Sequence, residues 1–446
     1  MTPLPENELE ALKNAAKEVL NKNWTGTFTK PTAKLYPHQW SWDSCFIAIG
    51  YSHYDQKKAE KEILNLLDAQ WKNGMIPHIV FDESELDGHY FPGPDFWQID
   101  KSPNAPEHLP CSGICQPPVH ASAVLHILDH APDKKRALDF AGSIYEKLAK
   151  WHRYLYEERD PENIGLAYIR HPWESGQDNS PVWDPVLNNI NLTPEMVPFY
   201  ERKDLSHVDA AERPTDDDYD RYVYLVNLFR KCSYDEEEIR KNGCPFMVED
   251  VLFNTILCQA TNDLAEIAKR TGNDPRPWKE RAKKTAEAVN WKLWDENNGI
   301  YVDFDMKGNR QIPERVLSGF LPLYAGIPVN SKAEQLFNYL NTHCFCRLDD
   351  TCFAAPTFDR SRPDYSSSKY WRGPIWINLN WMLCIGLSRY GYDLYTERIM
   401  ESIIKLPTMS GFYEYFDPDS GKGYGSTDFS WTAALLLDVL YHKNSF

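Results

Sequence analysis

Apolar residues recur at helical spacing along almost the whole chain, in about a dozen segments separated by turn-rich, aromatic-rich connections rather than by alternating strand patterns. The clearest are Asn7–Asn21, Gln56–Trp71, His120–His130, Lys134–Tyr156, Asp250–Arg270, Trp278–Trp294, Lys332–Leu340, Trp376–Ser388, Leu394–Leu406 and Phe429–Tyr441. Several are paired. GNDPRP joins Glu249–Gly272 to Pro277–Trp294 as a helix stop and restart, and RYGYD breaks the segment after Trp376 from the helix that follows Asp393. Strand signals are confined to DENNGIYVDFDMKGN and GFYEYFDPDSGKGYG, which read as short hairpins or irregular loops. With no Pro- or Ser-rich linker and no repeat of fixed length, the pattern predicts an all-α fold: a single domain over 1–446, made of paired helices with long loops at one end. The stretch 179–218 is too long and too interrupted by proline for a passive connection, so a cap or lid is expected there, the alternative being a surface insert.

Many of the 15 Trp, 25 Tyr and 20 Phe lie in loops rich in Gly, Pro and Asp, where filling a helical core accounts for only about half of them and another reason is needed. Sugar binding supplies it, because the apolar face of a pyranose stacks on an aromatic ring while its hydroxyls need carboxylates and amides nearby. The net charge of -17, without a basic run, argues against nucleic acid, and an anionic ligand would need a local basic pocket. The opening residues MTPLPENELEALKNAAKEVL hold no apolar stretch after a basic one, and no later run approaches a membrane span. The reading is therefore a soluble, cytoplasmic protein without a membrane partner. Against that reading the sequons at Asn23 and Asn191 carry no weight. The ten cysteines, including CSGIC (Cys111, Cys115) and CFC (Cys344, Cys346), lack zinc-ribbon spacing and read as free, mostly buried thiols.

There is no P-loop, GxGxxG, HExxH or GxSxG; what remains is carboxylates among aromatics. Cleaving a glycosidic bond takes one carboxylic acid to protonate the leaving oxygen and a second carboxylate to activate water or attack the anomeric carbon. Three loops offer such groups. LYPHQWSWDSCF places Trp40, Trp42 and Asp43 just before a helix, where Asp43 fits either a helix cap or a sugar hydroxyl. RHPWESGQDNSPVWD holds Glu174, Asp178 and Asp184, and GFYEYFDPDSGKGYGSTDFSW holds Glu414 between two tyrosines. Asp417 and Asp419 in the latter lack the spacing of a calcium loop and read as a turn. The residues alone do not say which carboxylates act.

YPHQWSWDSCF, GMIPHIVF, HPWESGQDNSP, YWRGPIWINLNWML and the Glu414 loop, in this order between about Tyr36 and Trp431, resemble glycoside hydrolase family 63. They are most similar to its small single-domain members, the mannosylglycerate and glucosylglycerate hydrolases. The resemblance implies an (α/α)6 barrel whose long loops cap the active site, inversion of configuration, Asp178 as general acid and Glu414 as general base. Asp178 must then hold its proton near neutral pH while Glu414 stays ionised, with the carboxyls roughly 6.5 to 9.5 Å apart. It further implies that Trp40, Trp42, Asp43, Trp173, Gly176, Trp371 and Trp376 wall the sugar pocket, and that Tyr36, His78, Gln116 and Tyr370 reach substrate hydroxyls. Arg213 and Tyr219, in ERPTDDDY, stand where the glycerate-releasing members bind the glycerate carboxylate, and Tyr90, in GHYFPGP, would add a contact. The implied partner is a small-molecule glycoside, an α-glycosyl glycerate split into hexose and glycerate; neither proton transfer requires a metal or cofactor, and none is expected. A family 63 α-glucosidase acting on neutral sugars, a sugar-binding barrel without catalysis and a helical-repeat scaffold are the alternatives; a homo-oligomer is left open.

Overall fold

The computed structural model describes residues 5–33, 35–86, 90–206 and 209–442. Among them are twelve helices of eleven residues or more: α1 (Glu6–Asn23), α2 (Ser41–Ser52), α3 (Gln56–Asp68), α4 (His120–His130), α5 (Lys134–Glu158), α6 (Asp216–Lys231), α7 (Val251–Arg270), α8 (Arg276–Lys292), α9 (Asn330–Leu340), α10 (Ile377–Arg389), α11 (Asp393–Ser410) and α12 (Ser430–His442). Side-chain caps start several of them: Asp55, Asp133 and Asp250 each accept the N–H three residues on.

Two rings result. The inner ring runs α2, α4, α7, a 3-10 segment at Leu317–Leu323, α10 and α12, which returns to α2. The outer helices α1, α3, α5, α8, α9 and α11 each lie against one or two inner members, giving the six outer-inner pairs of an (α/α)6 barrel. The two rings differ in pattern for a physical reason. An outer helix buries one stripe, as α3 does with Ala59, Ile63, Leu66 and Leu67, whereas an inner one is covered on all sides. All twelve residues of α2 are buried, as are Ser430 to Leu440 of α12. The first and last inner helices close the ring tightly at Gly50, where a Cβ would stand 2.6 Å from the Cα of Ala434.

The loops at the N-terminal ends of the inner helices carry the few strands. Gln39–Trp40 pairs antiparallel with Ile79–Val80, and Tyr415–Phe416 with Gly423–Tyr424. An isolated bridge between Ile375 and Phe416 draws the Glu414 loop to the entry of α10. The segment 179–218 is a run of short turns leading into α6; its residues 207 and 208 lie outside the described ones. No described helix is long and apolar enough to cross a membrane. One cysteine reading is corrected: Cys346 is bonded to Cys352, a short loop bringing the two together, while the other eight are free and six of those buried.

Candidate active site

The N-terminal ends of the inner helices surround a cleft of about 840 Å³, and every residue expected at the site lines it. The first turn of α2 brings Trp42 and Asp43 behind Trp40. Tyr36 comes from the turn before them, His78 and Tyr90 from the α3–α4 connection, and Gln116 from just ahead of α4. Trp173, Gly176 and Asp178 lie on one loop; Tyr370, Trp371 and Trp376 precede α10; Glu414 lies between α11 and α12. Arg213 and Tyr219 enter from the 179–218 segment and the first turn of α6. Asp43 is not a helix cap: the cap position is Trp40, no side chain caps α2, and the Asp43 carboxyl belongs to the cleft.

Glu414 is held from two sides. Tyr36 Oη donates to its Oε1 at 3.0 Å and the Ser426 N–H to its Oε2 at 3.1 Å. Arg213 Nη1 donates to Tyr36 Oη at 3.1 Å, its Nε to Asp204 at 3.3 Å, and its guanidinium lies 4.3 Å over the Tyr370 ring. Asp178 is placed through its backbone and its neighbour: Tyr222 Oη donates to its carbonyl at 2.8 Å, and the adjacent Asn179 Oδ1 accepts the Trp371 N–H at 3.1 Å. Trp371 and Trp376 stack at 3.6 Å and Trp376 in turn faces Tyr415 at 4.9 Å, so Trp376 backs the wall that Trp371 presents. Gln116 Oε1 accepts the Trp42 N–H at 3.3 Å, and His78 stacks on Trp173 at 6.3 Å. Gly176 has φ +72°, and a Cβ there would meet the Trp42 ring at 2.4 Å. Gly176→Ala is therefore expected to cost about 2 kcal/mol or more in denaturant unfolding and to raise KM by displacing Trp42.

Besides Asp204, three carboxyls share this cleft with the buried Arg213. Burial lifts Asp178 to about 6 against the pull of Arg213. Burial lifts Glu414 further, to about 7, although Arg213, the Ser426 N–H and Tyr36 all oppose it. Asp43 is also raised well above the ordinary range by burial, with Glu414 and Asp178 adding their charge. Asp178 is raised in the direction a general acid needs but at about 6 is mostly ionised at neutral pH, and Glu414, at about 7, is only partly ionised there. Glu414 is 1% exposed, and the hydration it loses outweighs what Arg213, the Ser426 N–H and Tyr36 return.

The other candidate acids are spoken for. Glu174 is buried against Arg159, with contacts of 2.9 and 2.8 Å, and accepts the Arg170 N–H. Asp184 pairs with Arg372, Asp419 with Arg360, and Asp417 accepts two N–H groups of its own turn. Several lining residues escaped the sequence reading: Pro31, Leu35, Phe91, Lys203, Asp204, Phe429 and Trp431. Trp431 and Phe429 were within reach, since DFSW ends the third acidic, aromatic loop. Asp204 gave no signal, because its role depends on the contact with Arg213 nine residues away.

Residues 36–432 match the family model of the mannosylglycerate hydrolase MGH1-like glycoside hydrolase domain. The chain belongs to this family. It is a glycosidase, and its fold agrees with solved members. The crystal structure of a family 63 mannosylglycerate hydrolase from Thermus thermophilus, in complex with Tris and D-glycerate, superposes with a TM-score of 0.88 at 41% identity, covering 96% of this chain and 99% of that one. The mannosylglycerate hydrolase of Rubrobacter radiotolerans is 48% identical over 97% of both chains. The glucosylglycerate hydrolase of Mycolicibacterium hassiacum is 36% identical over 95% of this chain and 96% of its own. This glycosidase thus joins the three aromatic-framed loops of the sequence into one cleft within an established barrel family.

Proposed function

We propose that this enzyme hydrolyses an α-glycosyl glycerate, mannosylglycerate or glucosylglycerate, to hexose and glycerate with inversion of configuration. One observation carries the acidic aglycone: the Arg213 guanidinium is buried in the cleft with Asp178 and Glu414, held by Asp204 at its Nε and by Tyr36 at its Nη1. Asp204 helps to balance that charge, and a planar guanidinium is suited to meet a substrate carboxylate with parallel donors. The relatives that release glycerate support the same reading.

In this reading Asp178 gives its proton to the glycosidic oxygen as the bond to the anomeric carbon breaks. Glu414 takes a proton from the water that attacks the opposite face. Tyr36 and the Ser426 N–H keep the Glu414 carboxylate aimed. A glycerate carboxylate drawn to Arg213 also serves the acid, since negative charge beside Asp178 holds its proton on and an occupied Arg213 pulls on it less. The whole chain acts as one catalytic domain, with the segment 179–218, which supplies Lys203, Asp204 and Arg213, as its cap.

Arg213→Ala is expected to reduce kcat/KM for the glycosyl glycerates by about 10- to 150-fold, the worth of a hydrogen bond to a charged group, and to leave neutral α-glucosides far less affected. Equal losses on both substrate classes would remove the case for an acidic aglycone. The carboxyl pair also predicts a narrow bell in kcat/KM of the unmodified enzyme, with limbs near pH 6 and 7. Protonated Asp178 with ionised Glu414 is then a minority state, roughly one molecule in twenty at the maximum near pH 6.5. Because Arg213 lowers both carboxyls, both limbs should move to higher pH in Arg213→Ala.

A further inference from the structure

At the end of the barrel away from the cleft, where α2, α4 and α12 finish, four of the thirteen histidines gather around one carboxylate. The reaction cannot use them, since the twelve residues of α2, about 18 Å, separate Ser41 at the cleft end from Ser52 at the cluster. His53 Nε2 lies 2.8 Å, His126 Nε2 3.0 Å and His442 Nε2 3.5 Å from the same oxygen, Oδ1 of Asp438. The two nearer nitrogens are at hydrogen-bond distance and use both lone pairs of that oxygen, and the third ring nitrogen closes on the same point.

The surrounding bonds prepare the nitrogens as ligands. Ser52 Oγ donates to the Ile49 carbonyl at 2.7 Å, so it accepts from His126 Nδ1 at 3.2 Å. In the neutral ring that contact puts the His126 proton on Nδ1 and leaves the Nε2 lone pair facing Asp438, free for a metal. The second carboxylate oxygen is fixed by Trp381 Nε1, which donates to Oδ2 at 2.8 Å and leaves Oδ1 to point into the cluster.

We propose that His53, His126, His442 and Asp438 bind one divalent transition-metal ion, with Zn2+ the ion best suited to the set. Three imidazole nitrogens and one carboxylate oxygen are donors of the borderline kind that zinc prefers. Tetrahedral zinc with bonds of about 2.0 to 2.1 Å holds its ligand atoms about 3.3 Å apart. The four atoms here already lie within 4.8 Å of one another. With all four positions supplied by side chains the site is structural. It ties the end of α2, the first inner helix, to that of α12, the last, across α4. A cleft lined by Asp129, His130, Asp263 and Arg389 beside His126 and His442 gives the ion a way in.

The test uses the full-length enzyme stripped with EDTA and titrated with ZnCl2 in a calorimeter. Binding of one equivalent, a rise in Tm that saturates at that point and an unchanged hydrolytic rate are expected. His126→Ala combined with His442→Ala should abolish both the binding and the rise in Tm while hydrolysis persists. Ser52→Ala, a small change that keeps every ligand, should weaken zinc by about 10- to 100-fold through loss of the Nδ1 contact. Co2+ loaded into the unaltered enzyme should give the intense visible absorption of a tetrahedral ion, a readout independent of how the variants fold. Failure of the stripped enzyme to bind one equivalent, undiminished binding in the double variant, or a weak octahedral cobalt spectrum would each overturn the site.

Discussion

Replacing either carboxyl of the proposed acid–base pair, in Asp178→Asn or Glu414→Gln, is expected to lower kcat on a glycosyl glycerate by about 10²- to 10⁴-fold, the usual contribution of a positioned proton donor or acceptor. Both amides keep the shape of the side chain, so the loss should appear in kcat with Tm nearly unchanged. A glycosyl fluoride separates the two roles, because fluoride leaves without needing a proton. Asp178→Asn should recover most of its rate on that substrate. Glu414→Gln should not, since water must still be deprotonated. Rapid-quench or steady-state kinetics with the two substrates measures this directly, and equal recovery of both variants would exchange or dissolve the assignment.

The second large effect concerns stability. Glu174 sits four residues from Asp178, fully buried with Arg159, while Arg159 Nε and Arg170 Nη2 meet Glu236 at 2.9 and 3.2 Å. Tyr154 and Tyr168 donate to the same Glu236 at 2.6 and 3.2 Å, so two cations and two carboxylates close on one another beneath the Asp178 loop. Glu174→Ala leaves buried guanidinium charge uncompensated and should cost about 3 to 5 kcal/mol, read from urea midpoints. Arg159 and Arg170 overcome the upward push of burial and hold Glu174 at about 2. A carboxyl depressed in this way stabilises the fold fully above its ordinary value, and that contribution is lost as the pH falls from about 4.5 towards 2. Glu174→Ala should therefore flatten the acid limb of the stability profile as well as lower it.

The outer ring was legible in the sequence because helices such as α3 and α5 wear their 3.6-residue stripe openly. The inner helices α4, α7, α10 and α12 were legible too, whereas α2, buried all round with no polar face to mark the period, showed only as the start of a helix at Asp43. The sixth inner position was invisible: Leu317–Leu323 carries Gly319 and Pro322 and forms a 3-10 segment where the ring otherwise has an α-helix. Helix α6 opens on three aspartates, which read as loop until Thr215 and Asp218 are seen closing a capping box. At the site, residue types alone located the three loops but could not choose among Glu174, Asp178, Asp184 and Glu414. The choice came from family resemblance, and the structure supplies its physical counterpart, since Glu174 and Asp184 are each committed to an arginine. The high pKa of Glu414 could not be read from FYEYF, because it arises from burial by segments far away in the chain.

The stereochemistry of the first turnovers tests the central claim most directly. Proton NMR of a freshly mixed reaction with an α-glycosyl glycerate should show glycerate and the β-hexose first, with the α-anomer growing in only at the rate of mutarotation. The α-hexose appearing first would contradict the account, because it would require a covalent glycosyl-enzyme in place of a water activated by Glu414.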